Sequence, residues 1–377
     1  MSGAHGLVIG KFYPPHAGHH RLIRAAAAAC GRVSVIVMAA SHESIPLQAR
    51  VQWLTAEHTD DAHVVVTGIV DDVAIDYGDT EIWAQHVALM HQALAAINAP
   101  SVTAVFSSEP YGAELARRFD ARAVLLDLDR KLTPVSGTQV RADPAAHWES
   151  LAAPVRAGLA LRVVVVGAES SGSTTLSRDL AAHWRAQGNV QGNGHALTRW
   201  VPEYGRDYTA QKWADARARA QLAGQAAPLL GQLQWESSEF VHIARTQARM
   251  EEEAARGGGP LLVCDTDAYA TAIWHERYLG APSAEVLRLA APGAPRRLYL
   301  LTDHVDVPFE QDGIRDGEAL RPWMTGRFAE ALHASGADWR RLRGSRLERL
   351  EQAAALSAQA LRQAWRFAPP LPPAPEP

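Results

Sequence analysis

The segment Leu7-Val8-Ile9-Gly10-Lys11-Phe12-Tyr13-Pro14-Pro15-His16-Ala17-Gly18-His19-His20 decides how the first half of this chain is read. An apolar run stops at Gly10, and a helical pattern follows from His20 to Cys30. A strand that turns through glycine into a helix offers free N–H groups and the positive end of a helix dipole to an anion. Gly10 ends the strand with little bulk, and Gly18 permits close approach to the backbone. His16 and His19 stand three apart and share one face of a helical turn, and Lys11 adds a full positive charge. The segment reads as a cradle for nucleotide phosphates.

Outward from it the pattern repeats. The apolar runs Leu7–Gly10, Val33–Ala40, Val64–Val70, Val102–Phe106 and Ala123–Leu126 alternate with helical patterns at Leu47–His58, Ile82–Ile97 and Ala113–Phe119. That alternation predicts a parallel sheet covered on both faces. A second cycle opens with Leu161–Val166, a glycine turn and a helix from about Thr174. Pro260–Cys264 and Arg297–Leu301 read as strands, and Phe240–Arg256 and Trp339–Trp365 as long helical stretches. Pro144 and Pro154 mark the join, which gives domains at 1–158 and 159–366. The proline-rich tail 367–377 is expected to be disordered.

Composition narrows the function. A chain of 377 residues accommodates two domains. A net charge of −4 argues against general nucleic-acid binding, so no DNA partner is expected. Cys30 and Cys264 are too few and too far apart for a disulfide scaffold or a cysteine-clustered zinc site. No apolar run reaches the ~18–20 residues of a membrane span, and Met1–Gly6 lacks a signal core. The chain reads as a cytoplasmic protein without a membrane partner. It is compatible with a homo-oligomer without specifying one. Of 37 Lys and Arg residues only three are lysines, Lys11, Lys131 and Lys212.

The second cycle carries its own glycine loop, Gly167-Ala168-Glu169-Ser170-Ser171-Gly172-Ser173-Thr174-Thr175, between a β-branched strand and a helix. That is the setting of a Walker A loop, whose pattern is GxxxxGK[ST]. Ser173 occupies the lysine position, while Thr174 keeps the hydroxyl that would hold Mg²⁺. The backbone cradle needs only glycines and N–H groups. The missing cation costs on the order of 3–4 kcal/mol in a transition state unless another replaces it. Arg315 and Arg321, in and after a lid-like stretch with Asp312, are offered as replacements. Asp265 and Asp267 end an apolar strand and read as Mg²⁺ partner or base for a sugar hydroxyl. Glu203, Tyr204 and Arg206 lie together in Glu203-Tyr204-Gly205-Arg206-Asp207-Tyr208 and read as substrate or lid residues.

Gly10, Lys11, Phe12, Pro14, His16, Gly18 and His19 together resemble the nucleotidyltransferase signature GKFxPxHxGH. Ser136-Gly137-Thr138-Gln139-Val140-Arg141 resembles its partner motif SxTxxR. With Phe106-Ser107-Ser108-Glu109-Pro110, the Asp127–Arg130 stretch, the glycine loop and the EYGRDY, CDTD and QDGIR segments in family order, residues 6–365 resemble the NadR family. The resemblance implies an α/β chain of two doubly wound parallel-sheet domains. A Rossmann-like nicotinamide mononucleotide (NMN) adenylyltransferase precedes a P-loop ribosylnicotinamide kinase-like domain. It implies ATP, NMN and nicotinamide riboside as partners, with Mg²⁺. It gives His16, His19, Lys11 and Arg141 the triphosphate, and Ser107, Ser108, Asp129, Arg130, Ser136 and Thr138 roles in ATP binding. The start of the chain leaves no expectation of a helix-turn-helix repressor domain. The head motif reads ATP, so flavin mononucleotide or phosphopantetheine remain alternative acceptors. Ser173 keeps open a second-domain role in binding or sensing rather than transfer.

Overall fold

A computed structural model describes residues 3–290, 296–311 and 317–371. The chain divides into two compact units, Met1–Gly158 with Trp365–Pro377, and Leu159–Ala364.

The first unit holds strands β1 (His5–Gly10), β2 (Arg32–Ala39), β3 (Val64–Val70), β4 (Ala104–Ser107) and β5 (Arg122–Leu125). They form one sheet in the order β3-β2-β1-β4-β5, and every pairing is parallel. Side chains alternate across a strand, so each apolar run feeds two cores. Val8, Val33, Val35 and Val37 pack with Leu22, Ile23 and Leu54 on one face. Leu7, Ile36 and Met38 pack with Trp83, Met90 and Leu115 on the other. That is why these strands read as continuous apolar runs rather than alternating ones.

The second unit holds β6 (Leu161–Gly167), β7 (Arg199–Val201), β8 (Leu261–Asp265), β9 (Arg297–Thr302) and β10 (Asp338–Leu342), in the order β10-β9-β6-β8-β7, again parallel throughout. Here the structure corrects the sequence reading of Trp339–Trp365 as helical throughout. Asp338–Leu342 is an edge strand, and the helix runs from Arg346 to Ala364 after a left-handed Gly344. The strand was illegible because its apolar content is slight: Arg340 and Arg341 face solvent, and Arg341 and Arg343 reach Asp303 at 2.9 and 2.7 Å. β7, three residues long, gave no periodicity to read.

Residues 366–371, at the start of the proline-rich tail, are neither helix nor strand. Arg366, Ala368 and Pro369 hydrogen-bond to Tyr13, His42 and Ser44, while 372–377 of the tail expected to be disordered lie outside the described residues. Among the described residues no helix is long and apolar enough to cross a membrane.

Ile36 is wholly buried at the centre of the first sheet. Ile36→Ala should cost about 3 kcal/mol through lost burial and the cavity left behind, read as a lower urea midpoint for the first unit.

Candidate active sites

In an open parallel sheet, the crevice lies beyond the carboxyl ends of the strands where the winding direction reverses. In the first unit that point is between β1 and β4. A cleft of about 520 Å³ opens there, the size of a small-molecule site. Lys11, His19, Ser136, Thr138 and Arg141 line it, together with Arg130 from beyond β5. Residues that follow β1 and residues that follow β5 thus converge on one cavity.

Local geometry explains the motif. Phe12 takes a left-handed φ of 46° and is 1% exposed. Its ring stands 4.8 Å from that of His19, so it serves as the wall behind the imidazole. His16 is the residue before the helix Ala17–Ala29, and its backbone N–H donates to His19 Nδ1 at 3.2 Å. A neutral His19 therefore carries its proton on Nε2 and acts as a donor. The two rings lie with centroids 3.7 Å apart and planes tilted by 31°. Gly18 makes this possible: a Cβ there would come within 3.2 Å of the His16 ring. Its role is room for an imidazole, where the sequence had read room for a ligand.

Burial dominates the electrostatics. It lowers His16 to about 4, helped by Arg130 and Arg141. It holds His19 well below the ordinary histidine value, with His16, His20 and Arg130 adding to the effect. Without an anion both rings are neutral at pH 7. His16 Nδ1 is buried and has no hydrogen-bond partner. The standing positive charge comes from elsewhere. Lys11 Nζ, 3.6 Å from Glu43, likewise has no hydrogen-bond partner. Glu43 is fully buried and bonds Arg50 at 2.6 Å. Arg141 donates to the Tyr13 carbonyl at 2.6 Å and to Thr138 Oγ1 at 3.2 Å, which aims the guanidinium along the cleft floor. Ser136 caps the helix Gly137–Ala142 through Gln139 N–H.

Some expected ligand contacts have structural duties. Ser107 Oγ closes a turn with both backbone groups of Glu109, and Ser108 is half-buried beside it. Asp129 is exposed and pairs with Lys131 at 2.8 Å, outside the cleft lining. Arg130 pairs with Glu109 at 2.5 Å.

The sequence reading passed over several contributors. Tyr13 sits between Arg50 and Arg141, 4.4 and 5.0 Å from their guanidinium carbons. Tyr77 and Tyr111 stack at 5.9 Å on the cleft wall. Glu43 holds Lys11. His86 Nδ1 meets Asp71 at 2.7 Å and Nε2 meets the Ala74 carbonyl at 3.0 Å. Both partners are acceptors, which favours the charged ring, and the Asp71 hydrogen bond raises its pKa. Only the three-residue neighbourhood of Tyr13 in the motif could have flagged any of them.

In the second unit the glycine loop joins β6 to the helix Ser173–Gln191. Gly172 takes φ 87°, a conformation that L side chains rarely adopt. The loop is braced from behind. Arg321 donates to the carbonyls of Ser170, His304 and Val307. Arg349 donates to that of Ser171 at 2.8 Å, and Ser171 Oγ meets Thr302 Oγ1 at 2.7 Å. Glu169 is tied to Arg277 and to the Gly317 N–H, and Ser170 Oγ to the Glu310 backbone. Arg321 is thus committed to backbone carbonyls, which corrects its reading as a substitute cation. Asp312 and Arg315 lie outside the described residues. Thr175 is exposed.

Gly167, Glu169, Ser170, Ser173 and Thr174 line a second cleft with Asp265, Glu203 and Arg206. Burial raises Asp265 to about 6 against the hydrogen bonds it receives from Thr174 and Ser173. Glu203, before the helix Tyr204–Leu222, rises to about 8 through burial and the nearby Asp265. Among the described residues of this lining Arg206 is the cation. Trp235, Phe240, Trp274 and Tyr278 form an aromatic wall that the sequence reading missed, although Trp274 and Tyr278 stand one helical turn apart. Tyr204 bonds His242 at 3.1 Å, beside the cleft. Asp267 is a correction. It caps the helix Ala268–Leu279 and takes Arg297 and Tyr299 at 2.8 and 2.5 Å, outside the cleft lining.

Two α/β domains, a Rossmann-like unit followed by a P-loop kinase-like unit, each with a polar cleft at the carboxyl edge of its sheet, define the class of protein. An AAA domain family matches residues 162–349. The chain is 24% identical over 324 residues to the trifunctional NAD biosynthesis/regulator protein NadR of Salmonella typhimurium, covering 82% of this chain and 71% of that protein. The Escherichia coli protein of the same name matches to the same degree. A NadR protein crystallised with NR superposes with a TM-score of 0.61 at 19% identity, over 95% of this chain and 97% of that one. Another, with NAD and AMP-PNP, gives 0.59 at 18%, over 95% and 96%. Over most of its length the chain is thus similar to NadR proteins, and its second unit to the AAA domain family.

Depressed histidine pKa values make folding favour the neutral ring. His16 therefore contributes stability above pH 6.5, which is lost as pH falls through about 4, and His20, lowered to about 3, acts in the same direction. Melting temperatures should fall steeply across this window in the native chain and less steeply in His20→Asn.

Proposed function

We propose that the first unit transfers AMP from ATP to NMN, giving NAD⁺ and pyrophosphate, and that the second phosphorylates nicotinamide riboside with ATP. The observation that carries the first assignment is the convergence of His16, His19, Lys11 and Arg141 at the β1/β4 switch point. The acceptor phosphate is already ionised, so no general base is required. Its oxygen bonds the α-phosphorus as the bond to the β-phosphate oxygen breaks, and pyrophosphate leaves. Positioning and charge compensation supply the catalysis. The neutral imidazoles donate hydrogen bonds, and a bound triphosphate draws them toward the charged form. Adenosine lies over the β4/β5 half, with Glu109 and Arg130, and the acceptor over the β2/β3 half. There Asp71, Asp76 and the exposed face of Tyr77 suit a cationic pyridinium.

In the second unit a riboside hydroxyl must lose a proton. Glu203, poised at about 8, is the base, and the aromatic wall receives the nicotinamide ring. The Thr174 hydroxyl and Asp265 carboxylate are hard oxygen donors side by side and fit Mg²⁺, which would neutralise phosphate charge. Arg206 stands in for the lysine absent at Ser173. A second reading, a module that binds nucleotide or riboside without transfer, is favoured by Ser173 alone.

His16→Ala or His19→Ala should abolish NAD⁺ formation, assayed by chromatography, and leave riboside phosphorylation intact. Glu203→Gln should do the converse, lowering kinase kcat by about 10²–10⁴, and native kinase kcat should rise with pH toward about 8. A feeble native kinase rate that Ser173→Lys restores would replace the kinase assignment with the binding module.

A further inference from the structure

We infer that the C-terminal segment 366–371 is a working wall of the first unit's cleft, and that it sets affinity for the acceptor mononucleotide. The inference rests on the adenylyltransferase reading above and adds a binding element to it.

The attachment is a closed circuit of hydrogen bonds. Ser44 N–H donates to the Tyr13 hydroxyl oxygen at 3.0 Å. The Tyr13 hydroxyl donates to the Ala368 carbonyl at 3.0 Å. Ala368 N–H donates to Ser44 Oγ at 2.7 Å, and Ser44 Oγ donates to the Arg366 carbonyl at 3.3 Å. His42 Nε2 adds a bond to the Pro369 carbonyl at 2.9 Å. The Phe367 ring meets Tyr13 edge-on, with centroids 6.0 Å apart. Ala368 is followed by two prolines, which have no N–H to satisfy and little conformational freedom to lose. Both backbone groups of Ala368 are used.

Beyond these anchors Pro370 and Leu371 enter the cleft lining, with Lys11, Tyr13 and Arg141. Position then assigns the ligand. His42 and Ser44 follow β2, and Asp71 and Asp76 follow β3, on one side of β1. Glu109 and Arg130 follow β4 and β5, on the other. The segment therefore borders the acceptor half and not the adenosine half. Tyr13 links it to the chemistry, because its carbonyl holds Arg141 and its ring lies between Arg50 and Arg141.

The test measures binding of NMN and of AMP-PNP separately, by calorimetry, to the full chain, to a chain ending at Arg366, and to Tyr13→Phe. Truncation should weaken NMN by about tenfold and leave AMP-PNP within about twofold. Tyr13→Phe should shift NMN in the same direction by less, without lowering the melting temperature. Unchanged NMN affinity in the truncated chain, or equal weakening of both ligands, overturns the inference while the adenylyltransferase reading stands. A full chain that binds AMP-PNP but no NMN overturns the acceptor assignment, and this inference with it.

Discussion

Desolvation of the His16–His19 pair is the constraint around which the first unit is built. For two imidazoles 3.7 Å apart, buried beside Arg130 and Arg141, burial and neighbouring charge favour the neutral rings. The fold therefore stores them as neutral donors behind Phe12, in space that only Gly18 leaves open. The permanent cations, Lys11 and Arg141, are tethered by Glu43 and by the Tyr13 carbonyl. Charge is held ready without being paired so tightly that an anion could not claim it.

The second unit solves the same problem by other means. Its loop presents backbone N–H groups, and its arginines stand behind the loop, on carbonyls. Such guanidinium contacts match planar oxygen acceptors better than a lysine would, in keeping with a chain that uses lysine only three times. Burial raises both Glu203 and Asp265, and the nearby Asp265 raises Glu203 further.

Much of this was legible in the sequence, for definite reasons. Strands buried on both faces leave continuous apolar runs, so β1 to β6, β8 and β9 could be read to within two residues. The glycine turns announced both clefts because backbone geometry restricts residue choice there. What escaped depends on three-dimensional neighbours. Asp267 looks like a site acid two residues from Asp265, but β8 ends at Asp265 and Thr266 takes a left-handed φ of 78°, so Asp267 caps the next helix and meets Arg297 and Tyr299. The arginine-rich β10 is a strand only because β9 offers it a partner edge. Glu43 acts on Lys11, Tyr13 on Arg141 and Asp71 on His86, contacts that only the folded chain makes.

The bracing of the glycine loop by Arg321 and Arg349 carries one more implication. A loop whose carbonyls are already fixed has its amides arranged before any nucleotide arrives. Little chain entropy is then forfeited on occupation, so the attraction withheld by a serine in place of lysine is partly recovered as rigidity.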